Sequence, residues 1–68
     1  MYYLVKDGKT HTAYYETYLG IAQGEWNESS QSFDWEEELC IFGNIIGEYQ
    51  TEAELIKAYN EVTKEAFA

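Results

Sequence analysis

The residues in this chain that are best suited to chemistry are acidic, and the densest group lies near the middle of the sequence. Asp34, Glu36, Glu37 and Glu38 fall within one short segment. Two carboxylates can serve as general acid and base when their surroundings push their pKa values apart, but nothing in the flanking sequence predicts such a difference. The segment also lacks the central glycine of an EF-hand calcium loop. Two interpretations stay open: a solvated charged edge that discourages aggregation, or a binding surface.

The other reactive side chains are too few to form a catalytic or metal site. His11 is the only histidine and Cys40 the only cysteine, so zinc sites built from Cys and His clusters are excluded by count. A nucleophile also needs a base, an orienting group and a pocket. We expect His11 to be a cross-strand neighbour of Leu4, and Cys40 to be a small buried apolar residue. The sequence therefore predicts a protein that is not an enzyme and needs neither metal nor cofactor.

Length and charge define the class of protein. The 68 residues allow a single domain, 1–68, and 13 acidic residues against 4 lysines give a net charge of −9. Such a chain repels nucleic acid and anionic lipid but is attracted to basic surfaces, although the charge could also serve solubility alone. No apolar run approaches the roughly 20 residues of a membrane helix, and the N-terminus does not resemble a signal peptide. A lone cysteine fits a reducing compartment, so we expect a cytoplasmic location, with monomer and dimer both open.

The first half of the chain predicts a hairpin followed by a long strand. Asp7-Gly8 between aromatic and β-branched runs is a strong hairpin signal, and it would set Lys6 opposite Lys9, Val5 opposite Thr10 and Leu4 opposite His11. The second strand should run from near Lys9 towards Trp26, with a bend or bulge at its glycines. A helix over 13–23 is the competing prediction. Alternation places two sets of residues on opposite faces of this strand: His11, Ala13, Tyr15, Thr17, Leu19 and Ile21 towards the core, and Thr10, Thr12, Tyr14, Glu16 and Tyr18 away from it.

The second half predicts one or two more strands and a helix. Residues 27–32 form a polar loop, and Phe33–Phe42 is read as a strand, with a short helix capped by Ser32 as the alternative. Gly43-Asn44 then predicts a tight turn before a last strand over Ile45–Tyr49. From Thr51 to about Ala66 a capping box precedes a helical apolar stripe made of Leu55, Ile56, Tyr59, Val62 and Ala66. The predicted fold is α+β: an antiparallel β-meander of three to four strands with one C-terminal helix packed on it.

In a strand, the acidic run acquires a regular geometry. Asp34, Glu36 and Glu38 would project from one face at intervals of about 6.6 Å, which is close to the phosphate spacing of an extended nucleic-acid strand and compares with about 3.4 Å of axis per phosphate in each duplex strand. Glu25, Glu28 and Glu48 could extend this field. A sheet that carries carboxylates at such spacing could occupy a protein's nucleic-acid groove and would associate quickly through electrostatic steering.

Tyr14 and Tyr18 are candidates for an apolar centre of the same contact. Both fall on the less apolar side of the second strand, and tyrosine is enriched at interfaces because it offers a large area at little entropic cost. In that role, their replacement by alanine would speed dissociation. The alternative is that the helix covers this face and both side chains belong to the core.

In overall character the chain resembles the small inhibitors that phages and mobile elements encode: anti-CRISPR proteins, uracil-DNA glycosylase inhibitors and anti-restriction DNA mimics. Small size, acidity, aromatic-rich strands and the absence of a catalytic constellation carry the resemblance, and Glu36, Glu37 and Glu38 match it in residue type. It implies stoichiometric inhibition of a basic nucleic-acid-binding protein. The other hypothesis is an accessory protein-interaction module, of phage or bacterial origin, that is unrelated to nucleic acid.

Overall fold

Five strands and one helix make up the protein, whose computed structural model describes residues 1–67, with side chains through Lys64. The elements, in chain order, are β1 (Tyr2–Asp7), β2 (Thr10–Thr17), β3 (Gly20–Asn27), β4 (Ser32–Glu38), β5 (Asn44–Tyr49) and α1 (Glu52–Phe67). The strands form one sheet in the order β4-β3-β2-β1-β5, and all neighbours are antiparallel. The α+β class and the C-terminal helix are confirmed, while the sheet has five strands rather than three to four.

The extra strand arises because the predicted long second strand is divided in two. It turns at Tyr18-Leu19 and returns as β3, with Thr17 paired to Gly20. The hydroxyl of Thr17 accepts a hydrogen bond from the Leu19 N–H at 3.1 Å, and Gly20 has a φ of +147°, which favours glycine. The helix alternative over 13–23 is wrong.

The first hairpin is confirmed, but its register differs from the prediction. The turn residues are Gly8 and Lys9, and the strand pairs are Lys6 with His11, Val5 with Thr12 and Leu4 with Ala13. Gly8, at φ +62°, takes the first central position, as in a type II′ turn. The shift is two residues along β2, so each side chain stays on its predicted face.

A crossover replaces the tight turn predicted at Gly43-Asn44. The helix alternative for Phe33–Phe42 is wrong, since Ser32–Glu38 is a strand, but that strand ends at Glu38 and not at Phe42. Because β4 and β5 lie at opposite edges of the sheet, residues 39–43 must cross four strand spacings of about 4.8 Å each. The crossover makes this passage with bends at Leu39, Cys40 and Gly43. The meander prediction therefore holds for β1–β4, and β5 joins it from outside beside β1.

The crossover lies on the side of the sheet away from the helix, which we call the outer face. The Phe42 N–H donates to the hydroxyl of Tyr14 at 3.4 Å. A Cβ at Gly43, whose φ is +111°, would stand 2.8 Å from Cγ1 of Val5, so only glycine allows this close approach. Val5 and Tyr14 are buried beneath it. The predicted burial of Cys40 is wrong, because this crossover residue is exposed.

The main core lies on the opposite face, between the sheet and α1. Leu4, Ala13, Phe33 and Leu55 form its buried centre. Partly buried aromatic and apolar side chains pack around this centre: Tyr2, Trp26, Trp35, Tyr49, Ile56, Ala58, Tyr59 and Val62. The predicted inward face of the second strand is confirmed for Ala13. It is wrong for Leu19, which is 81% exposed in the turn, and for Ile21, which the turn moves to the outer face opposite Glu16.

The helix follows its prediction closely. Thr51 caps it: the Glu54 N–H donates to the Thr51 hydroxyl at 3.2 Å, and that hydroxyl donates to Oε1 of Glu54 at 3.0 Å. Leu55, Ile56, Tyr59 and Val62 face the sheet as the apolar stripe requires; the side chain of Ala66 lies outside the described residues. Within the described chain no helix is long and apolar enough to span a membrane.

Removing the cap should measurably weaken the domain. We expect Thr51→Ala to lower the free energy of unfolding by about 0.5–2 kcal/mol, because the Glu54 N–H loses its acceptor at the start of the helix. Thr51→Ser, which keeps the hydroxyl, is the control and should lose a smaller amount. Urea denaturation followed by circular dichroism gives both values, and equal losses would show that the hydrogen bond is not what Thr51 contributes.

Candidate protein-binding face

Charge is strongly segregated on the outer face of the sheet. Side chains alternate along each strand, and pairing aligns the outward positions of neighbouring strands. Seven carboxylates occupy outward positions: Asp7, Glu16, Glu25, Asp34, Glu36, Glu38 and Glu48. All four lysines lie elsewhere, with Lys6 on the helix side of β1, Lys9 in a turn, and Lys57 and Lys64 on α1. The charged residues that the strands turn outward are thus all acidic.

Two of these carboxylates directly face each other across neighbouring strands. Glu25 of β3 pairs with Asp34 of β4, which places the Cβ atoms about 4.5–5.5 Å apart. Both side chains are exposed. One oxygen of Asp34 accepts a hydrogen bond from the side-chain amide of Asn27 at 3.1 Å. Since like charges directly opposite destabilise a sheet, folding stability alone does not favour this arrangement.

The crossover divides the outer face into two acidic regions. It leaves β4 after Glu38, passes over Tyr14 and reaches β5 beside Val5. On one side lie the outward carboxylates of β3 and β4, which we call the β3–β4 patch: Glu25, Asp34, Glu36 and Glu38. On the other side Glu16 and Glu48 flank Tyr3, whose hydroxyl donates to Oε1 of Glu16 at 3.3 Å.

The structure brings together four of the six acidic residues proposed from sequence as partner-binding. Glu25, Asp34, Glu36 and Glu38 share the β3–β4 patch, in which Asp34, Glu36 and Glu38 alternate on one strand face as predicted. Glu37 has the opposite parity and lies on the helix side, in line with Ala22.

Glu28 also belongs to the helix side and not to the acidic face. Its carboxylate accepts hydrogen bonds from Nε1 of Trp26 at 2.8 Å and from Nε2 of Gln31 at 3.0 Å. Both bonds lower the pKa of Glu28, and the bond from Trp26 has the larger effect. Burial, and secondly the charge of Glu28, raise the pKa of Tyr59, which lines an open cleft of about 600 Å³ together with Trp26, Glu28 and Lys64.

The two candidate tyrosines have different environments. Tyr14 is 2% exposed, and the element that covers it is the crossover, not the helix that the alternative prediction had invoked. Its side chain is therefore not presented to a partner. Tyr18 lies in the β2–β3 turn and is 96% exposed, at the end of the sheet where Ile21 pairs with Glu38.

Sequence reasoning left several outward residues out of the site. Asp7 and Glu16 belong to the acidic face. Glu16 could have been placed there from the sequence, because it is two residues from Tyr14 in β2 and shares its face. Asp7 was assigned to a turn. The sequence also did not predict several exposed apolar side chains, among them those of Phe42, Ile45 and Ile46, which are 47–56% exposed. Their placement depends on the crossover, which the sequence did not predict.

A comparison of the chain with protein-family models, curated proteins and solved structures finds no match. Among the described residues, no three or more His, Cys, Asp or Glu side chains come together as a potential metal-binding group. Any functional conclusion therefore has to come from the chemistry of the surface itself.

Proposed function

We propose that this protein is a small acidic inhibitor that works by binding and not by catalysis, in the manner of anti-CRISPR or DNA-mimic proteins. Its target would be the basic nucleic-acid-binding surface of a host defence or DNA-processing protein. The observation that carries the proposal is the outer face, where every outward charge of the strands is negative and where Glu25 directly faces Asp34.

Sheet geometry makes this charge pattern suitable for mimicry. Along β4 the carboxylates of Asp34, Glu36 and Glu38 recur every second residue, about 6.6 Å apart. Glu25 adds a second row one strand away, about 4.8 Å to the side. Hydrogen-bonded strands hold these positions before binding, so the partner gains charge complementarity without ordering a flexible segment. With a net charge of −9, association with a basic surface would also be accelerated by steering.

A charge-removal experiment tests this proposal. Changing Asp34→Asn, Glu36→Gln and Glu38→Gln together keeps the shape of β4 and removes three negative charges. A single exposed ion pair contributes about 0–1 kcal/mol, so we expect the triple variant to bind a basic partner captured from host lysate on the order of tenfold more weakly at low salt. The difference should shrink at high salt, where exposed charges are screened. Biolayer interferometry at two salt concentrations measures both effects.

A matched variant separates the patch from net charge. Asp7→Asn, Glu16→Gln and Glu48→Gln together remove the same number of charges from the outer face, but outside the β3–β4 patch. We expect this control to bind almost as tightly as the parent. If both triple variants bind equally to the parent at both salt concentrations, mimicry by this face is refuted.

One observation favours a second candidate, an accessory module that binds its partner through apolar contacts. Tyr18, Leu19 and Leu39 are 81–96% exposed, and Phe42, Ile45 and Ile46 are about half exposed near the β5 edge. Such side chains anchor interfaces whose affinity depends little on ionic strength. Partner binding that is insensitive to salt and to the β4 triple variant would support this module instead.

A further inference from the structure

The sheet is not continuous along its whole length, because its two hairpins separate towards one end. Pairing between β2 and β3 ends at Ala13 with Gly24. The β1–β2 ladder nevertheless continues to Asp7 with Thr10, and the β3–β4 ladder continues to Asn27 with Ser32. Backbone N–H and C=O groups of residues 10–12 and 25–27, which a continuous sheet would pair across the two strands, therefore border a gap between the hairpins.

This gap is a cavity of about 340 Å³, which we call the notch. Thr12, Glu25 and Glu36, all outward-facing, line its mouth, and His11, Trp26 and Tyr59 line it from the helix side. The rings of Trp26 and Tyr59 pack against each other with centroids 5.4 Å apart. At the lower end of the size range of ligand pockets, the notch suits a single long side chain better than a larger molecule.

The lining combines the two features that favour a flat cation. The carboxylates of Glu25 and Glu36 accept hydrogen bonds, and aromatic side chains such as Trp26 and Tyr59 attract cations. A guanidinium group carries five donors in a planar fork and stacks on aromatic rings, and it loses its hydration more readily than an ammonium group does. Of the cationic side chains, arginine therefore fits the notch best.

We infer that the notch receives one arginine side chain of the protein's basic partner, with Glu25 and Glu36 holding the guanidinium at the mouth and Trp26 and Tyr59 contacting it inside. The inference rests on the proposed function, since it names the partner group that the β3–β4 patch engages. It goes further by predicting a central anchor: an arginine in a partly desolvated pocket is a typical interface hot spot, whereas rim charges contribute little.

Short peptides test the notch without the partner protein. The probe is a blocked pentapeptide with arginine between glycines, compared with peptides that carry lysine or citrulline at the same position. Two-dimensional NMR of the ¹⁵N-labelled protein resolves the indole N–H groups of both tryptophans. Trp26 reports on the notch, while Trp35, whose indole N–H donates to Glu52 at 3.3 Å, is an internal control near the start of α1.

We expect the arginine peptide to shift the Trp26 indole signal and the amides of Thr12 and Glu25 saturably, and to leave the Trp35 indole signal in place. The lysine peptide should bind about fivefold more weakly, and the neutral citrulline peptide should cause no shift. Glu25→Gln should weaken arginine binding roughly fivefold. Glu48→Gln removes the same charge from the far edge of the outer face and should leave binding unchanged.

The outcomes separate the notch from the proposed function. Equal, diffuse shifts with arginine and lysine, or no shift at Trp26, would overturn the notch as an arginine site. The proposed function would still stand in that case if the β4 triple amide variant lost partner binding. Conversely, selective arginine binding together with salt-insensitive partner binding would keep the notch and reject the inhibitor proposal.

Discussion

Leu55→Ala is expected to be among the most destabilising single substitutions in the protein. Leu55 is fully buried where α1 meets the sheet, against Leu4, Ala13 and Phe33. Truncating a buried leucine costs about 2–5 kcal/mol, since apolar burial is lost and a cavity remains. At about 0.05–0.15 kcal/mol per residue, a chain of 68 residues has a total stability of only about 3–10 kcal/mol. The variant would therefore lose a large share of that stability.

Circular dichroism and urea titration of the variant measure this loss. Lys57→Ala is the control on the same helix, because Lys57 is exposed and alanine suits a helix interior at least as well as lysine. Its stability should change by less than about 0.5 kcal/mol. A Leu55→Ala variant with the parent's unfolding midpoint would mean that α1 does not pack on the sheet through Leu55.

Elements that are determined by local interactions could be predicted from the sequence. The helix follows from Thr51, whose hydroxyl accepts the free Glu54 N–H, and from an apolar stripe with the helical period. The first hairpin follows from a Gly in the turn between two aromatic and β-branched runs. Its register was wrong by two residues, and the face assignment survived because side chains alternate with a period of two.

The elements that were missed depend on contacts between residues distant in sequence. No local signal shows that residues 39–43 leave one edge of the sheet and reach the other, since this follows from β5 pairing with β1. Gly43 was interpreted as a turn residue because glycine serves both in turns, where it allows a positive φ, and in close contacts, where it has no Cβ to clash with a neighbour such as Val5. Likewise, Gly20 indicated a bend in one strand, whereas it begins a new strand.

The acidic site was predictable only to the extent that a single strand determines it. Alternation placed Asp34, Glu36 and Glu38 on one face, and β4 confirms this arrangement. That Glu25 would stand directly opposite Asp34 depends on the β3–β4 register, and Glu28 was assigned wrongly to this field because the hydrogen bond from Trp26 draws it to the helix side. The notch could not be predicted from the sequence, because it exists only where two hairpins separate.

Tyr14→Ala is expected to destabilise the fold strongly and not merely to weaken a partner contact. The ring is 2% exposed beneath the crossover, and its hydroxyl accepts the Phe42 N–H. Truncating a buried aromatic side chain costs about 3–5 kcal/mol. Tyr14→Phe keeps the ring and removes only the acceptor, so it should cost about 0.5–1.5 kcal/mol. Urea denaturation gives both values, and hydrogen exchange should show faster exchange in residues 39–43 for Tyr14→Phe.

Tyr18→Ala is the comparison that separates structural from binding tyrosines. With 96% of its surface exposed in the β2–β3 turn, Tyr18 has little to lose on truncation, and stability should change by less than about 0.5 kcal/mol. If Tyr14→Ala and Tyr18→Ala were equally stable, the crossover would not be packed on Tyr14, and Tyr14 would regain its place as a candidate partner contact. If Tyr14→Ala alone is strongly destabilised, weakened partner binding by that variant reflects lost structure. Only Tyr18 of the two would then remain available to a partner, and its contribution would appear as faster dissociation of a folded variant.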